Sequence, residues 1–101
     1  MNIKLQTGSI RYKLQPGEME ELISKKFLQE TIIFINETLC FQIRQGPQYQ
    51  HTQASYSKEG VVLMLPEAEI RKLKEIGQSK EGLIFNRQGL KIQIQVDLGK
   101  C

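Results

Sequence analysis

The first half of the chain alternates apolar and polar residues along several short segments, a pattern typical of β-strands. The segments "NIKLQ" (residues 2–6) and "IRYKL" (10–14) flank the turn sequence "TGS", which favours a hairpin. The next segment, "PGEMEELISKKF" (16–27), has apolar residues at helical spacing and begins with proline and glutamate, as helices often do. Two further strands are predicted at "TIIFI" (31–35) and "LCFQIRQ" (39–45).

The second half repeats this order of elements. Comparison of each residue with the one 51 positions later gives nine identities in 36 pairs without a gap, from Ile10/Val61 to Gln45/Val96. The second-half segments are "QASYS", "VVLML", "PEAEIRKLKEIG", "GLIF" and "LKIQIQV". Two copies indicate a duplicated half-domain, because a solenoid needs about three or more repeats. We therefore predict a ββαββ unit at residues 1–46 and again at 52–97.

One helix cannot cover four strands, so the two units are expected to share one core in a single domain of 101 residues. The predicted fold class is α+β. It comprises about eight mainly antiparallel strands in a curved sheet or open barrel, with two helices. The segment "VVLML" is apolar at every position, which predicts either a central strand or a surface for self-association.

Charge is distributed unevenly between the predicted elements. Outward strand positions carry five basic residues and no carboxylate, whereas most acidic residues fall on helices and turns. The sequence thus predicts a cationic sheet face, with amides beside it, that binds an anionic ligand. The alternative is a solvated face that discourages aggregation, since Arg11 and Lys13 correspond to Val62 and Met64 in the second unit. The candidate residues are Lys4, Arg11, Lys13, Arg44 and Lys91, with Gln42 and Gln93.

The sequence shows none of the common catalytic arrangements or phosphate-binding motifs. His51 is the only histidine and Asp97 the only aspartate, and no phosphate-binding glycine loop is present. We therefore predict no catalytic residue, metal or cofactor, and a non-enzymatic role is favoured. Nucleic acid is not expected as a partner, because Tyr12 and Phe34, like the other phenylalanines of the strands, fall on predicted core positions.

Composition sets the remaining expectations. The apolar fraction of 40% is ordinary for a soluble domain, and the net charge of +3 permits an anionic partner without requiring one. The apolar segments are strand-sized and the N-terminal residues have no apolar leader, so no membrane association is expected and the predicted location is the cytoplasm.

Two stretches resemble a group of short uncharacterised bacterial proteins. They are "MNIKLQTGSIRYKL" at the start and "LKIQIQVDLGKC" at the end. Proteins of that group begin with an M-K-I-R-like strand followed by S-I-R-x-R-L, and end in an alternating strand with a short cysteine-containing tail. The resemblance covers about a quarter of the chain and implies no activity.

More distantly, the duplicated strand pattern resembles the triphosphate-tunnel (CYTH) architecture, in which charged side chains line a barrel and bind triphosphate with metal. Members carry an N-terminal E-x-E-x-K, but the matching segment here is "NIKLQ". The resemblance thus implies anion binding without the metal-binding carboxylates. The leading hypothesis is a non-enzymatic domain that binds an anionic small molecule. The alternatives are a degenerate or active phosphohydrolase of the tunnel type, and a structural homo-oligomeric subunit such as a homodimer.

Overall fold

The computed structural model describes residues 1–58, 60–77 and 81–96. The predicted α+β class, with eight strands and two helices, is confirmed. Asp97, which closes the predicted second unit, and the tail after it lie outside the described residues. In chain order the elements are β1 (Asn2–Gln6), β2 (Ser9–Leu14), α1 (Pro16–Lys25), β3 (Phe27–Ile33), β4 (Thr38–Gly46), β5 (Gln53–Ser57), β6 (Gly60–Pro66), α2 (Glu67–Ile76), β7 (Leu83–Arg87) and β8 (Leu90–Val96).

The strands are divided between two four-stranded sheets, ordered β1-β2-β8-β7 and β3-β4-β6-β5. Each sheet consists of two antiparallel hairpins joined by a parallel pair of inner strands, β2 with β8 and β4 with β6. The barrel does not close. The edge strands β1 and β3 lie apart, and side chains including Ile3, Leu5 and Ile32 line a cavity of about 390 Å³ between them.

Each sheet combines one hairpin from each half of the chain. Tyr12 lies opposite Ile94 in one parallel pair, and Ile43 lies opposite Leu63 in the other, so the two registers are related by the same shift of 51. The pairing of the third strand of each unit, β3 and β7, follows a different shift. Ile43 faces Leu28 across its hairpin, whereas Ile94 faces Leu83, a shift of 55. The cause is the turn between β3 and β4, which spans residues 34–37 where the corresponding turn spans only 88–89.

The core lies between the two sheets, because alternate residues of the four inner strands point inward. The helices complete it with one apolar stripe each. Within each sheet the two hairpins turn at the same end, because the inner strands are parallel, and the helices follow the opposite ends of β2 and β6. We term the turn end of the β3-β4-β6-β5 sheet the hairpin end. The core residues are Ile10, Tyr12, Leu14, Met19, Leu22, Leu28, Ile43, Leu63, Leu65, Ile70, Leu73, Ile92, Ile94 and Val96.

Several predicted boundaries differ from the observed ones, most of all around β3. Lys26 has a left-handed φ of 65°, which ends α1 at Lys25 and lets β3 begin at Phe27. The predicted third strand therefore starts earlier and ends at Ile33, so Phe34 lies in the turn and is exposed rather than in the core. For "VVLML", the structure shows the central-strand alternative, because β6 lies between β4 and β5.

Candidate anion-binding face

The outer face of the β1-β2-β8-β7 sheet carries four of the five predicted basic residues. Strand alternation directs Ile10 and Tyr12 of β2 and Ile92 and Ile94 of β8 into the core, so the residues between them point outward. The edge strand β1 adds outward Asn2, Lys4 and Gln6, whose partners on β2 are also outward. We term this surface the cationic face and define it by Lys4, Arg11, Lys13 and Lys91 with Gln93.

The strand registers bring most of these residues together. Lys4 lies directly opposite Arg11, and Arg11 lies opposite Gln93, so the three form one row across the sheet. Ser9 lies opposite Lys91 in the next row. Side chains of both rows line one depression of about 50 Å³. Its lining residues are Lys4, Gln6, Ser9, Ile10, Arg11, Lys91 and Gln93.

The positive charge of this face is not neutralised by ion pairs within the described ranges. The outward positions of its four strands carry no carboxylate, and the ion pairs of residues 1–58, 60–77 and 81–96 lie elsewhere. Like charges opposite each other, as in Lys4 and Arg11, destabilise a sheet. A bound anion would relieve that repulsion.

Two acidic residues, Glu18 and Glu30, interact with the N-terminal amino group rather than with the cationic face. The Met1 amino group donates to Glu18 Oε2 at 2.6 Å and lies 3.6 Å from Glu30 Oε1. Burial lowers the pKa of this amino group, but the hydrogen bonds and charges of Glu18 and Glu30 outweigh it, and the pKa is raised above its ordinary value. These carboxylates therefore stabilise the Met1 ammonium rather than the cationic face.

Gln93 is a weaker candidate than the basic residues. Its Nε2 donates to the backbone oxygen of Glu81 at 2.9 Å, so part of its donor capacity is already used. Sequence reasoning missed Ser9 and Gln6, which also line the depression. The alternation of "SIRYKL" could have indicated Ser9, because it shares a side of β2 with Arg11.

Arg44 and Gln42 do not belong to this face. Both lie on β4, in the other sheet, where Arg44 donates to Gln42 Oε1 from Nε at 3.1 Å and from Nη2 at 2.8 Å. Gln42 Nε2 in turn donates to Gln29 Oε1 at 3.1 Å. Their assignment to the same surface as Lys4 and Arg11 is wrong, because alternation defines the side of a strand but not the sheet that the strand joins.

The interior differs from a charged tunnel. The buried polar residues of the described chain are Gln45, Thr52 and Gln95, and none of its charged residues is buried. Within the same residues, no group of three or more histidine, cysteine, aspartate or glutamate side chains is arranged to hold a metal ion. No helix of the described ranges is long and apolar enough to cross a membrane.

The fold and this face define a class: a small α+β domain of two four-stranded sheets with an exposed cationic outer face. The chain belongs to DUF7009, a family of unknown function, which matches residues 1–101. This agrees with the predicted membership of an uncharacterised family. No curated protein and no solved structure matches the chain.

Proposed function

We propose that the protein is a binding domain that takes a phosphate-bearing small molecule on its cationic face. The observation that supports this proposal is the depression shared by Lys4, Arg11 and Lys91, which no carboxylate of the described strands neutralises. An anion there would accept charge-assisted hydrogen bonds from all three side chains. The proposal includes a cytoplasmic location, where phosphorylated small molecules are abundant.

The size of the depression suits a single oxyanion group. At about 50 Å³ it cannot enclose a whole ligand, so the rest of the molecule would extend over the open face toward Lys13. Arg11 occupies the middle of the row and has a planar guanidinium that can donate two parallel hydrogen bonds to one phosphate. Lys4 and Lys91 would contribute point charges from either side.

Titration with tripolyphosphate, inorganic phosphate and sulfate tests this function, with binding followed by calorimetry and by the thermal midpoint. We expect tripolyphosphate to bind and to raise the midpoint, and its affinity to fall as salt is added, because the contacts are exposed. Replacement Arg11→Gln or Lys91→Gln should weaken binding at least about tenfold, since a hydrogen bond to a charged group contributes about 1.5–3 kcal/mol.

The matched control is Arg44→Gln, which removes the same charge from the other sheet. It should leave the affinity unchanged. An equal loss in Arg44→Gln would show that only net charge matters, and an absence of binding to the unmodified chain would refute the proposal. Release of phosphate from tripolyphosphate in the presence of Mg²⁺ would instead support the alternative phosphohydrolase.

A further inference from the structure

An apolar surface covers the hairpin end. Residues 32–35, "IIFI", are four consecutive exposed apolar residues, and Ile33 is 81% exposed while Ile35 is fully exposed. Runs of three to four exposed apolar residues are unfavourable in water unless they serve a function. Tyr56 is 80% exposed at the same end, and Leu5 of β1, which lies beside Ile32 and Tyr56, is exposed as well. We term residues 32–35 with Leu5 and Tyr56 the apolar patch.

Four of the six patch residues share cavities pairwise, and Ile33 and Ile35 adjoin Ile32 and Phe34 along the chain. Leu5 and Ile32 line the cavity of about 390 Å³, and Leu5 and Tyr56 line a second of about 230 Å³. Tyr56 and Phe34 line a third of about 700 Å³. The six residues together expose on the order of 800 Å², the area that each partner contributes to a stable interface of standard size.

Two opposite charges stand beside the patch. Glu37 and Lys58 both line the cavity of about 700 Å³. Neither takes part in any of the ion pairs found within residues 1–58, 60–77 and 81–96. In a twofold-symmetric interface, residue i of one copy contacts residue j of the other copy, and residue j of the first contacts residue i of the second. An unpaired acid and an unpaired base on one apolar surface therefore complement a second copy of the same surface.

We propose that two copies of the chain associate through their hairpin ends, with the apolar patches packed together and Glu37 of each copy paired with Lys58 of the other. The sequence offered self-association through "VVLML" as one alternative, whereas this proposal places the interface at the hairpin end. Val62 and Met64, on the outer side of β6, are already half-buried. A lipid surface fits less well, because the charges beside the patch are one acid and one base, Glu37 and Lys58, rather than the cluster of basic residues that an anionic membrane attracts. Gln6 and Ser9 line both the depression of the cationic face and the cavity of about 230 Å³. The basic residues Lys4, Arg11 and Lys91 line none of the three cavities of the patch, so the two proposals rest on different side chains.

The mass of the chain in solution, measured by sedimentation equilibrium over a range of concentrations, tests the proposal. We expect a concentration-dependent increase from 11.7 kDa toward twice that mass. Ile35→Lys should abolish it, because the charge would be buried in the interface and Ile35 has no packing role in the single chain. The matched control is Ile76→Lys at the end of α2, outside the apolar patch. This variant should dimerise as the unmodified chain does.

Charge reversal identifies the contact itself. Glu37→Lys and Lys58→Glu should each weaken dimerisation about tenfold, since each places two like-charged pairs in the interface. An equimolar mixture of the two variants should restore the dimer, because every contact between the unlike chains is then attractive. A failure of the mixture to restore it would refute the pairing. A chain that stays monomeric at millimolar concentration would overturn the proposal, as would a monomer that binds phosphatidylcholine vesicles through the patch.

Discussion

Tyr12 is the one tyrosine of the buried core. It is fully buried on β2, between Ile3 and Ile94 of the neighbouring strands, and its hydroxyl has no hydrogen-bond partner among the described residues. An unsatisfied buried hydroxyl costs about 1–3 kcal/mol. Burial also raises the pKa of Tyr12 above its ordinary value of 10.0, because the phenolate would be desolvated.

Removal of this hydroxyl is expected to stabilise the fold. Tyr12→Phe keeps the ring and should raise the free energy of unfolding by about 1 kcal/mol at pH 7, as measured by urea denaturation. A less stable variant would show that the hydroxyl gains more from its surroundings than it loses.

The pH dependence follows from the raised pKa of Tyr12. Below pH 10.0 the side chain is neutral in both states and its ionisation does not affect stability. As pH rises above that value, the unfolded chain releases the proton while the folded chain retains it, so stability falls. The stability advantage of Tyr12→Phe should therefore grow between pH 9 and pH 11, and an advantage independent of pH would contradict this account.

At the level of single residues, the sequence predicted orientation better than location. Alternation along β1, β2 and β8 correctly placed Lys4, Arg11 and Lys91 on the outward side, because the period of two is a local property of a strand. Arg44 obeys the same rule on β4, yet it lies on a different sheet. Sheet membership depends on pairing between distant segments, which no local pattern encodes.

Among the secondary-structure elements, β3 and its turn were the hardest to predict. The apolar run "TIIFI" favours a strand at residues 31–35, but β3 begins at Phe27 and Phe34 belongs to the turn. A continuous apolar run has no alternation, so it cannot indicate which residues face the core. The hairpins with short turns, such as β1–β2, were predicted closely because glycine and alternating residues mark them.

Position 60, at the start of β6, requires glycine because of both its backbone conformation and its packing. Its φ is 118°, and a Cβ at this position would clash with the carbonyl oxygen of Cys40 on β4. Gly89 has a φ of 86° but open space around it. A comparison of substitutions at the two positions therefore separates the cost of backbone strain from the cost of a steric clash.

We expect Gly60→Ala to lower the free energy of unfolding by about 3 kcal/mol or more, because strain and a backbone clash add. Gly89→Ala should cost only about 1 kcal/mol, since strain alone applies. Chemical denaturation of both variants measures the difference. Equal losses would mean that β4 and β6 can separate enough to admit a methyl group.

In the whole molecule, each sheet is completed by strands from both halves of the chain. The inner strand β2 pairs with β8, and β4 pairs with β6, so neither half holds a complete sheet. The repeat pattern predicts two similar units but not this exchange of hairpins. Alternation is satisfied equally well if each unit forms its own sheet, and the duplication itself stays a prediction.

Separated halves provide a test at this scale. A peptide of residues 1–51 should be unfolded as a monomer, because β2 and β4 lose their parallel partners and expose the core. Addition of a peptide of residues 52–101 should restore strand structure, as seen by circular dichroism and by dispersed NMR signals. A monomeric first half with native-like signals would show that the halves fold on their own.

The parallel pair of β2 and β8 also sets an order for events during synthesis. The β3-β4-β6-β5 sheet lies entirely within residues 27–66, so it can form while the rest of the chain is still being made. The other sheet pairs β2 with β8, about 80 residues later in the chain, and cannot be completed until β8 has been synthesised. Lys4 and Arg11 are translated well before Lys91, so a chain terminated before β8 would lack the depression that they share.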